Sequence, residues 1–298
     1  GADVDYPPNF TGMRKRILEN GGAVLGEGLT KQQSAAREKL AAEHEIIKKR
    51  IECAASAISF EYDFTLPPER EGFPSLTATD LVVFGCPTYA GRLPNLLLNY
   101  LNTITGGGAY AIPIVTFGNR AFDNSLAELC SLLEAHEFHT IAAAAFSCEH
   151  SFSTTLGGGR PDENDLKDAE NFALSVFGKM VKSVAFCQPI NPVEVDGDPN
   201  AAYYQPRDRH GDSIDIRKVK PVTTKACTQC GFCAEVCPMG AIDKNDCTRT
   251  PGICIKCCAC IKKCPQGAKL FTDTGFLYHK EELEAMYGGR RAENSFYL

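Results

Sequence analysis

The sequence lacks three features that would assign it to a broad class. No run of apolar residues reaches the roughly 18 that a membrane-spanning helix needs, and the stretch from Gly1 to Phe10 lacks the basic-then-apolar layout of a secretory signal. An excess of basic residues is also missing, because the net charge is −6. A nucleic-acid-binding surface would require clustered lysines and arginines. We therefore expect a cytoplasmic protein with no membrane span and no nucleic-acid partner.

Catalytic signatures are missing as well. No G-x-G-x-x-G follows a predicted strand, which argues against a self-contained nicotinamide-dependent enzyme. The acidic residues Glu149, Asp162, Glu163 and Asp165 form no pair with acid–base spacing and are expected to be helix caps and solvated surface. No catalytic residue is predicted.

Cysteine is abundant and concentrated in one region. The chain has 298 residues, of which 44% are hydrophobic and 23% charged, so it is long enough for two globular domains. It contains fifteen cysteines, and ten of them lie between Cys227 and Cys264. A secreted disulfide scaffold would be short, with cysteines throughout. The concentration indicates metal binding in a reducing compartment.

The cysteine-rich region repeats the spacing C-x2-C-x2-C-x3-C-P. The first copy consists of Cys227, Cys230, Cys233 and Cys237, followed by Pro238. The second copy consists of Cys254, Cys257, Cys260 and Cys264, followed by Pro265. This is the spacing of bacterial two-cluster ferredoxins, in which the fourth cysteine of each copy binds the other cluster. Zinc knuckles are the alternative, but zinc gains nothing from a repeated four-cysteine run with proline behind it.

The spacing predicts two [4Fe–4S] clusters with crossed ligands and one-electron transfer. Cluster one is assigned to Cys227, Cys230, Cys233 and Cys264, and cluster two to Cys237, Cys254, Cys257 and Cys260. Cys247 and Cys258 fall outside the ligand pattern, and packing near a cluster is preferred to a redox role. The cysteines outside the region are expected to be small buried hydrophobes.

The region before residue 188 alternates short apolar runs with helical patterns. Asp80–Gly85, Tyr110–Gly118 and Thr140–Ser147 are predicted strands. Helical spacing covers residues 93–104, 125–136 and 165–184. Strands alternating with helices predict an α/β fold, with a parallel sheet and helices on both faces.

Two loops follow these strands at the edge where such sheets bind ligands. One carries Tyr89 and the other Phe122, and both have small polar residues that offer backbone N–H groups. His150 follows the third strand, and a structural role is preferred there to a ligand contact.

The sequences GCPTYAGRLPN, TFGNRAFDNSLAEL and AAFSCEHSFS resemble the flavodoxin-like half of the flavodoxin–ferredoxin fusion family. The cysteine repeat resembles its ferredoxin half, and GGRRAENSFYL resembles its C-terminal end. The match runs from about Glu61 to Leu298. It implies a flavodoxin-like doubly wound sheet, a small α+β ferredoxin domain, and FMN close to the clusters. The residues implied to contact FMN are Pro87, Thr88, Tyr89, Gly91 and Arg92 in one loop, and Gly118, Asn119, Arg120, Phe122 and Asp123 in the other.

The N-terminal region departs from that family. Its phosphate-binding loop should follow a strand and present Ser, Thr and Gly at a helix N-terminus. FTGMRK from Phe10 lacks an apolar strand before it, and AVLGEGLTKQQS from Ala23 carries the acidic Glu27. Lys31 to Ile58 is predicted to be one long helix.

These patterns divide the chain into five parts: a divergent helical segment over 1–60, a flavodoxin-like domain over 61–187, a linker over 188–220, a ferredoxin domain over 221–272 and a C-terminal tail over 273–298. Three functions remain open. The chain is an electron carrier that exchanges electrons with a protein redox partner, a flavin-dependent reductase fed by the clusters, or a flavin-free ferredoxin adaptor of a larger redox complex.

Overall fold

The computed structural model describes residues 60–207, 210 and 212–298. The predicted helix over 31–58 and both candidate phosphate loops lie outside these residues.

Parallel strands form the centre of the domain that precedes the cysteine repeat, which we call the sheet domain (residues 60–187). Its strands are β1 (Leu81–Pro87), β2 (Tyr110–Phe117), β3 (His139–Thr140) and β4 (Ala143–Ser147). Strand β2 lies in the middle, with β1 on one side and both β3 and β4 on the other, all parallel to it. The three predicted strands are therefore found, the third of them in two pieces.

Helices cover both faces of the sheet, as alternating side-chain directions require. They are α1 (Leu98–Leu101), α2 (Ser125–Ala135) and α3 (Glu163–Phe186). Val115 of β2 packs with Leu129 of α2 on one face. Ile112, an odd number of positions away, packs with Phe172 of α3 on the other face. This arrangement is the predicted α/β class.

The helix predicted over residues 93–104 is shorter than expected. Only Leu98–Leu101 is helical, and turns precede it, with the Leu97 amide bonded to the Pro94 carbonyl at 2.8 Å. Its apolar side chains are buried all the same, including Leu93 and Ile104. Apolar periodicity thus located the buried positions, although the backbone between them is irregular.

The segment over 188–220 crosses the surface of the sheet domain. The Val193 amide bonds to the Thr140 carbonyl at 2.8 Å, and the Tyr204 amide bonds to the Ala90 carbonyl at 2.8 Å. Val193 and Val195 pack against the core. The predicted linker therefore covers loops of the sheet domain on its way to the cysteine repeat.

The cysteine module (residues 221–272) is small and internally repeated. It contains β5 (Val222–Thr223), α4 (Phe232–Glu235), α5 (Ala259–Lys262) and β6 (Lys269–Leu270). Strands β5 and β6 pair antiparallel, which brings the two ends of the module together. Each short helix lies inside one copy of the cysteine motif.

The segment after the module returns to the sheet domain. It forms α6 (Thr274–Tyr287) and β7 (Ser295–Tyr297). Asp273, directly before helix α6, is its N-cap, and its side chain accepts a hydrogen bond from the Phe276 amide. Strand β7 pairs antiparallel with β4, so the sheet is mixed. None of the helices in the described ranges combines the length and apolar character needed to cross a bilayer.

Candidate metal centre

The eight motif cysteines surround two separate cavities. The first, of about 320 Å³ including space open to solvent, is lined by Cys227, Cys230, Cys233 and Cys264, which we call the first ring. The second, of about 370 Å³ on the same measure, is lined by Cys237, Cys254, Cys257 and Cys260, which we call the second ring. The fourth cysteine of each motif therefore lines the cavity of the other motif. The structure therefore brings the members of each predicted set together at one cavity, and their binding of clusters stays a prediction.

The backbone repeats the same conformations in both copies. Gln229 and Lys256, two residues after the first cysteine of each copy, have φ values of 57° and 60°. Gly231 has φ 82°, and Cys258, at the matching position, has φ 59°. Left-handed φ turns the chain sharply, which lets a short loop direct three thiols toward one side. Cys258 adopts this conformation despite its side chain, which is buried.

Backbone amides donate to four of the sulfurs in a repeated pattern. The Sγ atoms of Cys227 and Cys254 accept from the amide two residues later, each at 3.4 Å. The Sγ atoms of Cys237 and Cys264 accept from the amide four residues later, each at 3.3 Å. Such hydrogen bonds stabilise negative charge on sulfur and so influence the potential of an iron–sulfur cluster.

The rings are suited to a group larger than one ion. Within the described ranges, no three His, Cys, Asp or Glu side chains converge as ligands of a single metal ion. A cubane of four irons and four sulfides has its cysteines arranged around it, so its ligands line a cavity. The four thiols around each cavity therefore fit the ligand set of one [4Fe–4S] cluster.

Burial governs the protonation of the ring cysteines before iron binds. It raises the pKa of the Cys233 thiol to about 11 and that of the Cys257 thiol to about 11. Iron must displace protons from such thiols, so cluster assembly releases protons. Lys269 is 2% exposed, lines the first cavity and donates to the Cys247 carbonyl at 2.5 Å. Its cation offsets negative charge that a cluster would bring.

Comparison with known proteins agrees with this geometry for the first copy of the motif. Residues 221–243 match the 4Fe-4S binding domain family. That segment includes the first four motif cysteines and covers a small part of the chain. No curated protein and no solved structure matches the chain. The chain therefore has a ferredoxin motif and a capacity for iron–sulfur electron transfer.

Tyr89, the residue predicted to stack on FMN, lies beside the ferredoxin motif's second ring. Burial raises its pKa well above the usual value, and the nearby Cys257 and Cys258 raise it further. The loop after β1 therefore lies near the second ring. Pro87 precedes it with an exposed side chain, and Thr88 donates to or accepts from Ser125 at 2.6 Å.

The remaining side chains of that loop are engaged within the sheet domain and the linker. Arg92 binds both carboxylate oxygens of Glu128, through Nε at 2.7 Å and Nη2 at 2.6 Å. It also donates to the Ala201 carbonyl. Gly91 has φ 75°, and a Cβ there would lie 2.4 Å from the Asp123 carboxylate. Only glycine fits at this close approach.

The loop after β2 is covered by chain segments distant in sequence. Asn119 is 1% exposed and donates to the Tyr287 and Arg290 carbonyls, each at 3.0 Å. Arg120 pairs with Asp123 and lies over the Tyr204 ring, 4.5 Å from its centroid. These side chains hold the segment after α6 and the linker in place.

Other residues at this edge pack against the core. Phe122 lies 5.5 Å from Phe117, measured between ring centroids. A Cβ on Gly118 would lie 2.4 Å from Cδ2 of His150, so glycine is required by close packing. Burial, and to a smaller extent the Lys262 cation, lowers the pKa of His150 to about 4. The loops predicted to bind FMN thus pack on one another, on the linker and on the C-terminal segment.

Two anchoring contacts of the module had no signal in the sequence. Lys262 of α5 donates to the Glu149 carboxylate at 2.6 Å and to the carbonyls of His150 and Ser153 at 2.6 and 2.9 Å. Arg70 donates to the Pro238 carbonyl at 2.8 Å. Each joins groups more than a hundred residues apart, so local patterns could not reveal them.

Proposed function

We propose that the chain is an electron-transfer protein that holds two [4Fe–4S] clusters, one in each cysteine ring. The observation that carries the proposal is the sorting of the eight motif cysteines into two separate cavities of four. Each cluster, when bound, takes up and releases one electron. The first ring would bind cluster one and the second ring cluster two, so Cys237 and Cys264 each serve the motif to which they do not belong.

The protein supplies burial, hydrogen bonds and cations around the bound sulfur. The four amide-to-sulfur bonds favour the more negative, reduced state, and the buried ammonium groups of Lys256 and Lys269 act in the same direction. Burial of the ring opposes it, because added negative charge is costly in a low dielectric. The potentials therefore depend on residues outside the ligand set.

The proposal is tested by metal analysis of protein purified without oxygen. Two cubanes predict about eight irons and eight labile sulfides per chain, with a brown absorbance. Electron paramagnetic resonance of the reduced protein should show two interacting spins. Stoichiometric zinc without iron–sulfur absorbance would overturn the proposal, and four irons would limit it to one ring.

FMN does not form part of this proposal. In the described conformation the Asn119 side-chain amide and the Arg92 guanidinium already bind protein groups, and the linker covers both loops. The phosphate loop expected from the family resemblance lies outside the described residues. Reconstitution with excess FMN, followed by gel filtration and flavin fluorescence, tests this directly, and bound flavin in a stoichiometric amount would restore the flavoprotein function.

The partner is proposed to be another redox protein or a larger redox complex. Since no nucleophile or acid–base pair was found in the sequence, electron exchange with a protein needs fewer assumptions than reduction of a small molecule. A flavin-free adaptor of a larger complex and a freely diffusing electron carrier would both exchange electrons with a protein in this way.

A further inference from the structure

We propose that the protein partner exchanges electrons at the surface around Cys230, through the first ring, while the second ring is directed toward the sheet domain. The inference rests on the proposed function, because it assigns different positions to the two clusters. Close approach of redox centres favours fast transfer, so the more accessible ring is the one a partner reaches.

The first ring opens to solvent. Cys230 is exposed, and it is the only exposed cysteine among the eight ring members. Thr228, Pro265 and Gln266 line the same cavity and are also exposed. A partner that binds against these residues would contact the Cys230 thiol.

The second ring is covered by the sheet domain on one side. Lys262, two residues after Cys260 of the second ring, donates to the Glu149 carboxylate and to the carbonyls of His150 and Ser153 in the loop after β4. Arg70 holds the carbonyl of Pro238, which lines that cavity. These contacts come from two separate segments of the sheet domain, before β1 and after it.

An apolar cluster closes the same side. Cys258, which also lines the second cavity, packs with Phe271 and Phe276, and Phe152 of the sheet domain joins them. The ring centroids of Phe152 and Phe276 are 4.7 Å apart. A protein partner cannot approach through this packed interface.

The two rings are close enough for internal exchange. Cys260 of the second ring packs against the apolar cluster that contains Cys233 of the first ring. Cys237 of the first motif lines the second cavity, and Cys264 of the second motif lines the first cavity. The two motifs must therefore lie against each other. An electron entering at the first ring therefore has a short path to the second.

The rim of the first ring indicates the kind of partner. Thr228, Gly231, Pro265 and Gln266 are uncharged, so a second protein can approach without desolvating fixed charges, as in the centre of protein interfaces. The expected partner is a one-electron redox protein with its own centre near its surface. A charge introduced at this rim should alter the association rate strongly.

The experiment measures electron transfer from the reduced protein to cytochrome c, a basic one-electron acceptor, by stopped flow at low salt. Thr228→Arg should lower the second-order rate constant about fivefold or more, and Thr228→Glu should raise it, because the charge changes sign. The matched control is Ile253→Arg, since Ile253 is 65% exposed and adjoins Cys254 of the second ring. This variant should stay within about twofold of the unmodified protein.

If Thr228→Arg lowers the rate constant and Thr228→Glu raises it, damage to the fold is excluded as the cause, because damage would lower both. The inference is overturned if Ile253→Arg slows transfer as much as Thr228→Arg, or if both Thr228 variants change the rate in the same direction or not at all. Failure of the proposed function is distinguishable, because it would appear as missing iron in the unmodified protein before any variant is compared.

Discussion

Individual cysteines in the module differ in role although they line the same cavity. Cys264 and Cys247 both face the first cavity, but only Cys264 belongs to the repeated motif. Cys264→Ala should remove one ligand of cluster one and selectively weaken the cluster bound by Cys227, Cys230 and Cys233. Iron analysis and paramagnetic resonance of the reduced protein measure the loss.

Cys247→Ala is the matched control for that change. Cys247 is buried but outside the ligand spacing, so its replacement should retain both clusters. Selective loss of the cluster held by Cys254, Cys257 and Cys260 in the Cys264 variant would contradict the crossed assignment. Loss of iron on changing Cys247 would instead make that thiol a ligand.

His150 makes the stability of the protein depend on pH. Burial lowers its pKa to about 4, below the value of 6.5 expected in an unfolded chain. Between these values the unfolded state binds the extra proton, so stability falls as the pH decreases from 6.5 toward 4. Lys262, His279 and Arg120 oppose protonation, and Glu284 favours it.

His150→Gln should remove this dependence. The difference in unfolding free energy between the unmodified and variant proteins should shift by about 1 kcal/mol between about pH 7.5 and about pH 5.5, with the unmodified protein losing more. Denaturant unfolding without oxygen gives the values. His139→Gln, at the exposed residue of β3, is the control, and a shift equal to that of His150→Gln would remove His150 as the cause.

Among the elements, the strands and long helices could be predicted because apolar spacing determines them locally. Strands β1, β2 and β4 and helices α2 and α3 lie where the pattern placed them. The pairing of β7 with β4 could not be predicted in this way, since three residues carry too little pattern and the two strands are far apart in sequence.

The same limit applies to the candidate site. Cysteine spacing predicted which four cysteines lie around each cavity, because each motif determines its own loop. The crossed binding of clusters stays a prediction. The environment of Tyr89 depends on the linker and the module folding back over the loop after β1. Such contacts join distant segments, so the loop composition that suggested a flavin site did not reveal what covers it.

Strand β7 is held to the sheet domain by Asn294, directly before it. The side-chain oxygen Oδ1 of Asn294 accepts from the Ser147 backbone amide at 3.0 Å, and its side-chain Nδ2 donates to the carboxylates of Asp165 and Asp168 at 3.0 and 2.9 Å. Asp165 is 1% exposed. Asn294→Ala should therefore destabilise the protein by about 2 kcal/mol, because buried polar groups lose their partners.

Thermal or denaturant unfolding measures this loss, with Glu293→Ala as the neighbouring control on an exposed residue. The control should change stability by less than about 0.5 kcal/mol. Equal effects of the two substitutions would show that Asn294 does not anchor β7.

For the whole molecule, the path of the chain fixes the module from both ends. The linker crosses the sheet domain before residue 221, and α6 and β7 return to it after residue 272. The module is therefore attached like an inserted domain rather than as a free appendage. This double attachment keeps the second ring near Tyr89 and leaves Cys230 exposed to solvent.

Lys262 is the polar contact that should hold this orientation most firmly. Its ammonium group donates to three oxygens of the loop after β4, two of them backbone carbonyls. Lys262→Met keeps the length of the apolar stem but removes all three bonds. We expect the free energy of unfolding to fall by about 2 kcal/mol. Hydrogen bonds from a charged donor are stronger than neutral ones, but partial exposure to solvent limits their contribution. Hydrogen exchange should rise at residues 149–153, while both clusters keep their iron.

Lys244→Met, on an exposed loop of the module, should leave exchange at 149–153 unchanged. If Lys262→Met also left that exchange unchanged, the module would be held by its other contacts with the sheet domain, the hydrogen bond from Arg70 to the Pro238 carbonyl and the apolar cluster around Phe276.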